Sequence, residues 1–189
     1  MILLTKIITI KELKQRYGWD DTLSYSANRS LVSNKWLIDI LKQEGYSFDF
    51  TIERESKGKP YFLHNNNLHF SISDTKDYVA IVLSNRRVGI DIEYLRKGKK
   101  VVAERFFHPL ENTYLTNQAT NLQDFAFTQL WTIKEAYVKM TGTGIANNFS
   151  TIDLSPTEYL PSQDYYKNSH HILSSFSSST SLFTSICEW

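Results

Sequence analysis

A single cysteine, Cys187, among 189 residues excludes an intrachain disulfide and leaves no thiolate cluster for zinc. Charge of one sign is not in excess either. Lys and Arg total 21 against 20 for Asp and Glu, so net charge gives no support for a nucleic-acid partner, and any electrostatic recognition must be local. No apolar run reaches the roughly 20 residues that a membrane helix needs. The opening MILLTKIITI is apolar but short, without a basic flank or a small-residue cleavage site. It therefore reads as a first strand rather than a signal peptide, and a cytoplasmic protein is expected. The histidines His64, His69, His108, His170 and His171 show no spacing of a metal site. A Gly-rich phosphate loop is also missing.

Aromatic residues, by contrast, are plentiful: eleven Tyr, eleven Phe and four Trp can build a core for one domain or two small halves. After the first strand a polar stretch runs to about Ser26. A helix is expected over Asn28–Gln43, with Leu31, Trp36, Ile38 and Leu41 buried and Gly45 beyond its end. Phe48–Glu53 reads as a strand and Ser56–Pro60 as a turn. Leu68–Ser73, Tyr78–Ser84 and Val88–Glu93 read as three strands whose short breaks favour an antiparallel meander.

The second half begins near Val88. Helices are expected over Val101–Phe107, from Pro109, and over Asp124–Met140 up to Gly142 and Gly144. In the last, Phe127, Leu130, Trp131, Lys134 and Val138 form a stripe that is apolar except for the lysine. Strands follow at Ser150–Leu154, His170–Phe176 and Leu182–Trp189, with the turn in SSFSSSTS. A helix followed by strands occurs twice, so the chain reads as α+β. It divides into two similar α/β halves, residues 1–87 and 88–189, each a helix on a mainly antiparallel sheet.

Three segments carry chemistry. In VGIDIE, Asp91 and Glu93 lie two apart on a strand and share a face, with Ile90 and Ile92 opposite. Two hard oxygen ligands on one strand suit Mg²⁺, although a polar edge strand has the same pattern. In WTIKEAYVK, Glu135 and Lys139 are i,i+4 neighbours. Glu135 is a candidate third metal ligand or general base, and Lys134 and Lys139 are candidate phosphate holders; a surface ion pair fits the spacing as well. In SKGKP and LHFSIS, Lys57 and Lys59 on a turn and Ser71 and Ser73 on a strand could bind phosphate or simply face solvent. The run Arg96, Lys97, Lys99 and Lys100 is a solvated loop or a dock for an acidic protein.

KGKP, HFSIS, VGIDIE, AERFFHPLE and WTIKEAYVK occur in the order and approximate spacing of the 4′-phosphopantetheinyl transferases, Sfp-like group, which the chain resembles from about Ala27 to Gly144. The resemblance implies a pseudo-twofold monomer with its site in the cleft between the halves. The implied reaction moves phosphopantetheine from coenzyme A to a serine of an acyl or peptidyl carrier protein. The resemblance implies that Asp91, Glu93 and Glu135 hold Mg²⁺ and that Lys139 contacts the pyrophosphate. Lys59 and Ser73 would line the nucleotide pocket, Arg29 and Ser30 would lie near the 3′-phosphate, and Glu111 or Glu135 would take the serine proton. Asp74 stands where the family usually has a phosphate-binding histidine. The segment before Ala27 is short, with Lys11, Lys14 and Arg16 as its candidate phosphate ligands. A Mg²⁺-dependent phosphodiester hydrolase and a non-catalytic coenzyme A or carrier-protein binding module are the alternatives.

Overall fold

The computed structural model describes residues 2–144, 149–155, 171–177 and 180–187. It is a mixed α/β arrangement with antiparallel sheets. Strand β1 (Ile2–Thr9) runs into helix α1 (Ile10–Tyr17), whose start is fixed by a reciprocal Thr9–Glu12 capping box. The polar stretch expected to reach Ser26 therefore contains a helix. Helix α2 (Tyr25–Gln43) starts three residues before the expected Asn28. The cap is Ser24, which accepts from Ala27 N at 3.2 Å. Asn28 lies inside the first turns, and its buried amide donates to Asp20 O at 2.6 Å, which ties down the preceding loop. Leu31 is exposed rather than buried, while Val32, Trp36, Leu37, Ile40 and Leu41 form the inner face.

A short hairpin follows, β2 (Ile52–Arg54) with β3 (Pro60–Phe62). The strand expected over Phe48–Glu53 shrinks to this piece because Phe48 and Phe50 pack as side chains against the α2 core from an irregular segment. Gly58 closes the turn at φ 91°, a conformation that favours glycine. Strands β4 (His69–Asp74) and β5 (Tyr78–Ser84) pair antiparallel, and β1 pairs on the other side of β5, giving the order β1-β5-β4. Helix α2 covers one face of this sheet, in a core that joins Leu37 and Leu41 to Phe70, Val79, Ile81 and Leu83.

Strand β6 (Val88–Tyr94) does not continue the meander. It opens a second sheet, β6-β7-β8, with β7 (His171–Ser177) and β8 (Thr180–Cys187), all antiparallel. The physical reason is in its side chains. Ile90 and Ile92 pack against Ala80 and Val82 of β5, face to face instead of edge to edge. The other face of β6 receives helix α5 (Gln123–Thr141) so closely that a Cβ on Gly89 would lie 1.9 Å from Ala136 O. Helices α3 (Lys100–Phe106) and α4 (Pro109–Thr116, proline in its first turn) bridge β6 to α5. They pack on α5 through Ala103, Phe107, Phe127 and Leu130. The expected strand at Ser150–Leu154 is turn and irregular chain. His170, Ser178, Ser179, Glu188 and Trp189, which fall in the expected final strands and turn, lie outside the described residues. No helix among the described residues is long and apolar enough to cross a membrane.

Candidate active site

The two sheets meet along β4 and β6. The edge of β6 that faces β4 donates to side chains instead of a ladder: Ile90 N to Ser71 Oγ at 3.2 Å and Ile92 N to Ser73 Oγ at 3.4 Å. Alternation along β4 therefore puts both serines on this seam, and alternation along β6 puts Asp91 and Glu93 on the face turned to α5.

Helix α5 completes the constellation. Lys139 Nζ donates to Asp91 Oδ1 and to Ser73 Oγ, each at 2.7 Å, and Ser73 Oγ donates to Asp91 Oδ1 at 2.8 Å. Asp91 is 4% exposed, yet its Oδ2 is buried with no hydrogen-bond partner among the described residues. Such an orphan acceptor is costly unless something absent from the chain meets it. Glu135, one turn before Lys139, has no partner among the described residues. Burial, then the nearby charge of Asp91, push its carboxyl up to about 7, against the pull of Lys139. Burial and Asp91 raise Glu93 as well, opposed by Arg96, which bonds it at 2.8 Å. The three carboxylates thus feel one another. They are not drawn into a cage: among the described residues no group of three or more His, Cys, Asp or Glu is arranged to hold a metal.

A cavity of about 470 Å³ meets this cluster through Glu135 and Lys139; Asp91, Glu93 and Ser73, the last expected in a nucleotide pocket, are not among the residues that line it. Glu135, Lys139 and Asp74 line one part of it, Arg29 and Ser30 of α2 another, and Arg54, Lys57 and Lys59 of the hairpin a third. The volume is in the range of small-molecule pockets, and the lining is rich in cations and hydroxyls that suit phosphate. Lys11, Lys14 and Arg16 do not line it; the Lys14 ammonium stacks over the Trp19 ring, 4.1 Å from its centroid.

Two sequence candidates sit differently from expectation. Lys59 borders the cavity, but its ammonium turns inward and donates to Lys139 O at 2.6 Å and Val88 O at 2.9 Å. Burial, then Arg87, bring its pKa down to about 8. Together with Arg87, which bonds Met140 O and Thr141 O, it meets the last carbonyls of α5. Arg87 is in turn held by Glu55 of the hairpin at 2.9 Å. Neither Arg87 nor Glu55 is singled out by the sequence, because their pairing spans β2 to the turn before β6.

Glu111 is placed away from the cavity. It is 0% exposed, and both oxygens receive the Lys134 ammonium, at 2.8 and 2.7 Å. His108 N and Leu154 N supply two more donors at 2.8 Å. The one polar residue of the α5 stripe therefore finds its partner here, and that partner does not line the cavity. An isolated lysine on an otherwise apolar helical stripe is a signal of such a pair. Of the basic run, Lys97, Lys99 and Lys100 are exposed, while Arg96 turns in over Trp131, its guanidinium 4.9 Å from the ring.

The seam, the carboxylates and the cationic cavity together form a cleft whose lining suits phosphate, and comparison with known proteins gives the family of the chain. A model of the 4′-phosphopantetheinyl transferase superfamily matches residues 87–182, just over half of the chain. The match takes in β6 and α5, which supply Asp91, Glu93, Glu135 and Lys139. The chain belongs to the 4′-phosphopantetheinyl transferase superfamily. It is 37% identical over 130 residues to the 4′-phosphopantetheinyl transferase gsp of Aneurinibacillus migulanus, covering 68% of this chain and 53% of that one. It is 37% identical over 99 residues to the 4′-phosphopantetheinyl transferase psf-1 of Bacillus pumilus, covering 52% and 42%. With the 4′-phosphopantetheinyl transferase Sfp of Bacillus subtilis (strain 168) it shares 28% identity over 118 residues, covering 62% and 50%. The chain spans about half the length of the curated relatives it matches.

Proposed function

We propose that the chain transfers the 4′-phosphopantetheine group of coenzyme A to a serine of an acyl or peptidyl carrier protein, releasing 3′,5′-adenosine bisphosphate. The observation that carries this reading is the Lys139–Ser73–Asp91 cluster, with Glu135 beside it, at one end of a cation-lined cavity. The names of the relatives point the same way.

In this reaction the serine oxygen bonds to the β-phosphorus of coenzyme A. The bond from that phosphorus to the bridging oxygen breaks, and the bridging oxygen leaves with the adenosine bisphosphate. Lys139, about a third exposed, can share its ammonium between Asp91 and a phosphate oxygen where charge develops. A carboxylate must take the serine proton. Glu135 borders the cavity and has no partner among the described residues, whereas Glu111 already accepts four hydrogen bonds in the core. We therefore assign Glu135 as the base and Glu111 as a strut.

Mg²⁺ fits these donors. The orphaned Asp91 Oδ2 needs a positive partner, and Glu93 and Glu135 add hard oxygens on the same side. Asp91, Glu93 and Glu135 are the residues that would hold it. A bound Mg²⁺ supplies neutralisation of the charge on the phosphate oxygens.

On this reading residues 1–87 and 88–189 are halves related by a pseudo-twofold within one monomer. The support is that each half sets one 19-residue helix on a three-stranded antiparallel sheet. The carrier protein would dock beside the cleft on the exposed Lys97, Lys99 and Lys100. The setting is the cytoplasm, with neither nucleic acid nor membrane involved, in keeping with the near-balanced charge. Mass spectrometry of an apo carrier protein incubated with the chain, coenzyme A and Mg²⁺ tests the function. A mass gain of one phosphopantetheine is expected. Coenzyme A cleavage without that gain would make the protein a hydrolase, and binding without either would make it a non-catalytic module.

A further inference from the structure

Arg29 and Asp74 meet in the wall of the cavity, guanidinium Nη1 2.5 Å from the carboxylate Oδ2, with side chains 27% and 26% exposed. Arg29 projects from the first turns of α2. Asp74 ends β4, next to Ser73, whose hydroxyl joins Lys139 and Asp91. The Tyr25 ring faces the guanidinium with its centroid 5.6 Å away, so the arginine is held by two neighbours. Among the described residues Asp74 is the one carboxylate paired with Arg29. A planar guanidinium in the wall of a cation-lined cavity is a natural fork for a phosphate. In this chain that fork is already closed on a carboxylate. Burial raises the Asp74 carboxyl, and Arg29 is the leading influence against it, which marks the pair as mutually dependent.

We propose that Asp74 is a built-in counter-ion of Arg29, a specificity-determining residue that a ligand phosphate must displace before the guanidinium can hold it. The proposal rests on the reading of the cavity as the site of a phosphate-bearing ligand such as coenzyme A. It has two consequences. Removing the carboxylate charge strengthens binding of polyanions, because the guanidinium is then free. That gain also runs through Arg29 and vanishes without it. A carboxylate that merely repelled the ligand would weaken binding equally with or without Arg29.

The test is a thermodynamic cycle on the full chain without metal. Inorganic pyrophosphate and, separately, coenzyme A are titrated by calorimetry into wild type, Asp74→Asn, Asp74→Ser, Arg29→Gln and the two double variants. Both Asp74 substitutions are expected to tighten pyrophosphate binding about tenfold, and to change it by less than about twofold on the Arg29→Gln background. Unchanged or weaker binding on loss of the carboxylate overturns the proposal. The same gain with and without Arg29, or no pyrophosphate binding by any variant, also overturns it. If the pyrophosphate cycle behaves as expected while coenzyme A does not bind, the transferase reading falls and the counter-ion stands. If coenzyme A binds but the cycle shows no coupling, the counter-ion falls and the transferase reading stands.

Discussion

Helix α5 carries two lysines five residues apart, each against a carboxylate, and the two pairs are completed differently. Lys134 gives all three of its donors, two to Glu111 and one to Ile152 O at 2.8 Å, while Glu111 also receives His108 N and Leu154 N. Nothing in that pair is left over. Lys139 and Asp91 are joined at one oxygen only, Asp91 Oδ2 has no partner among the described residues, and Lys139 is about a third exposed. A saturated buried pair pins elements together, here α4 and the segment around Ile152–Leu154 onto α5. An unsaturated one stands ready for a ligand or a metal. The side-chain chemistry is nearly the same; the count of remaining partners separates structure from function.

The largest expected effect falls on the saturated pair. Glu111→Ala leaves the Lys134 ammonium buried and uncompensated, which costs about 3–5 kcal/mol of stability. Replacing both partners by apolar residues of similar volume, as in Glu111→Leu with Lys134→Met, should cost far less. Denaturant melts of the three proteins check this. A stable Glu111→Ala protein that no longer transfers phosphopantetheine would move Glu111 into the chemistry and end its role as a purely structural partner of Lys134.

Next in size is the unsaturated pair. Asp91→Ala or Lys139→Ala should slow transfer at least about 10²-fold, about 2.7 kcal/mol of barrier, with the melting temperature little changed. Glu135→Ala should do the same. Transfer assays beside melting curves decide it.

The cleft was largely legible in the sequence, and the sealed pair was not. Alternation in VGIDIE places Asp91 and Glu93 on one face, and helical spacing places Glu135 one turn from Lys139; both are local rules. The ends expected for β5 are the ends it has, and those expected for α5 lie within one residue at each end. The placement of Glu111 against Lys134 depends on how α4 folds back on α5, and Lys59 reaches α5 from a separate hairpin, so neither follows from local spacing. The departure of β6 from the meander has the same origin. Short loops favour a neighbouring strand, but the packing of Ile90 and Ile92 on β5 and of α5 on Gly89 overrides them. Helix α1 is not evident from sequence pattern despite its Thr9–Glu12 capping box, because its short apolar face buries only Ile10 and Leu13.

A smaller effect should appear with pH in metal-free protein. Glu135 has its carboxyl raised to about 7 by burial and by Asp91, so its contribution to stability is complete below the unfolded value near 4.5 and is lost as pH rises through about 7. Wild type should therefore lose more melting temperature than Glu135→Gln between about pH 5 and pH 8. Mg²⁺ should restore more of it at the higher pH. Equal losses in both proteins would show that the unsaturated cluster carries no such strain.

The smallest effect concerns the partner. Lys97→Glu with Lys100→Glu should raise KM for the carrier protein more than for coenzyme A, and the difference should shrink as salt is added. An unchanged carrier KM at low ionic strength would leave the run a solvated loop.

The most direct measurement is the intact mass of an apo carrier protein after incubation with coenzyme A, Mg²⁺ and either wild type or Asp91→Ala, both verified as folded. One added phosphopantetheine and released 3′,5′-adenosine bisphosphate are expected with wild type, and almost none of either with Asp91→Ala. No mass gain with folded wild type, or an equal gain with both proteins, would contradict the proposed function.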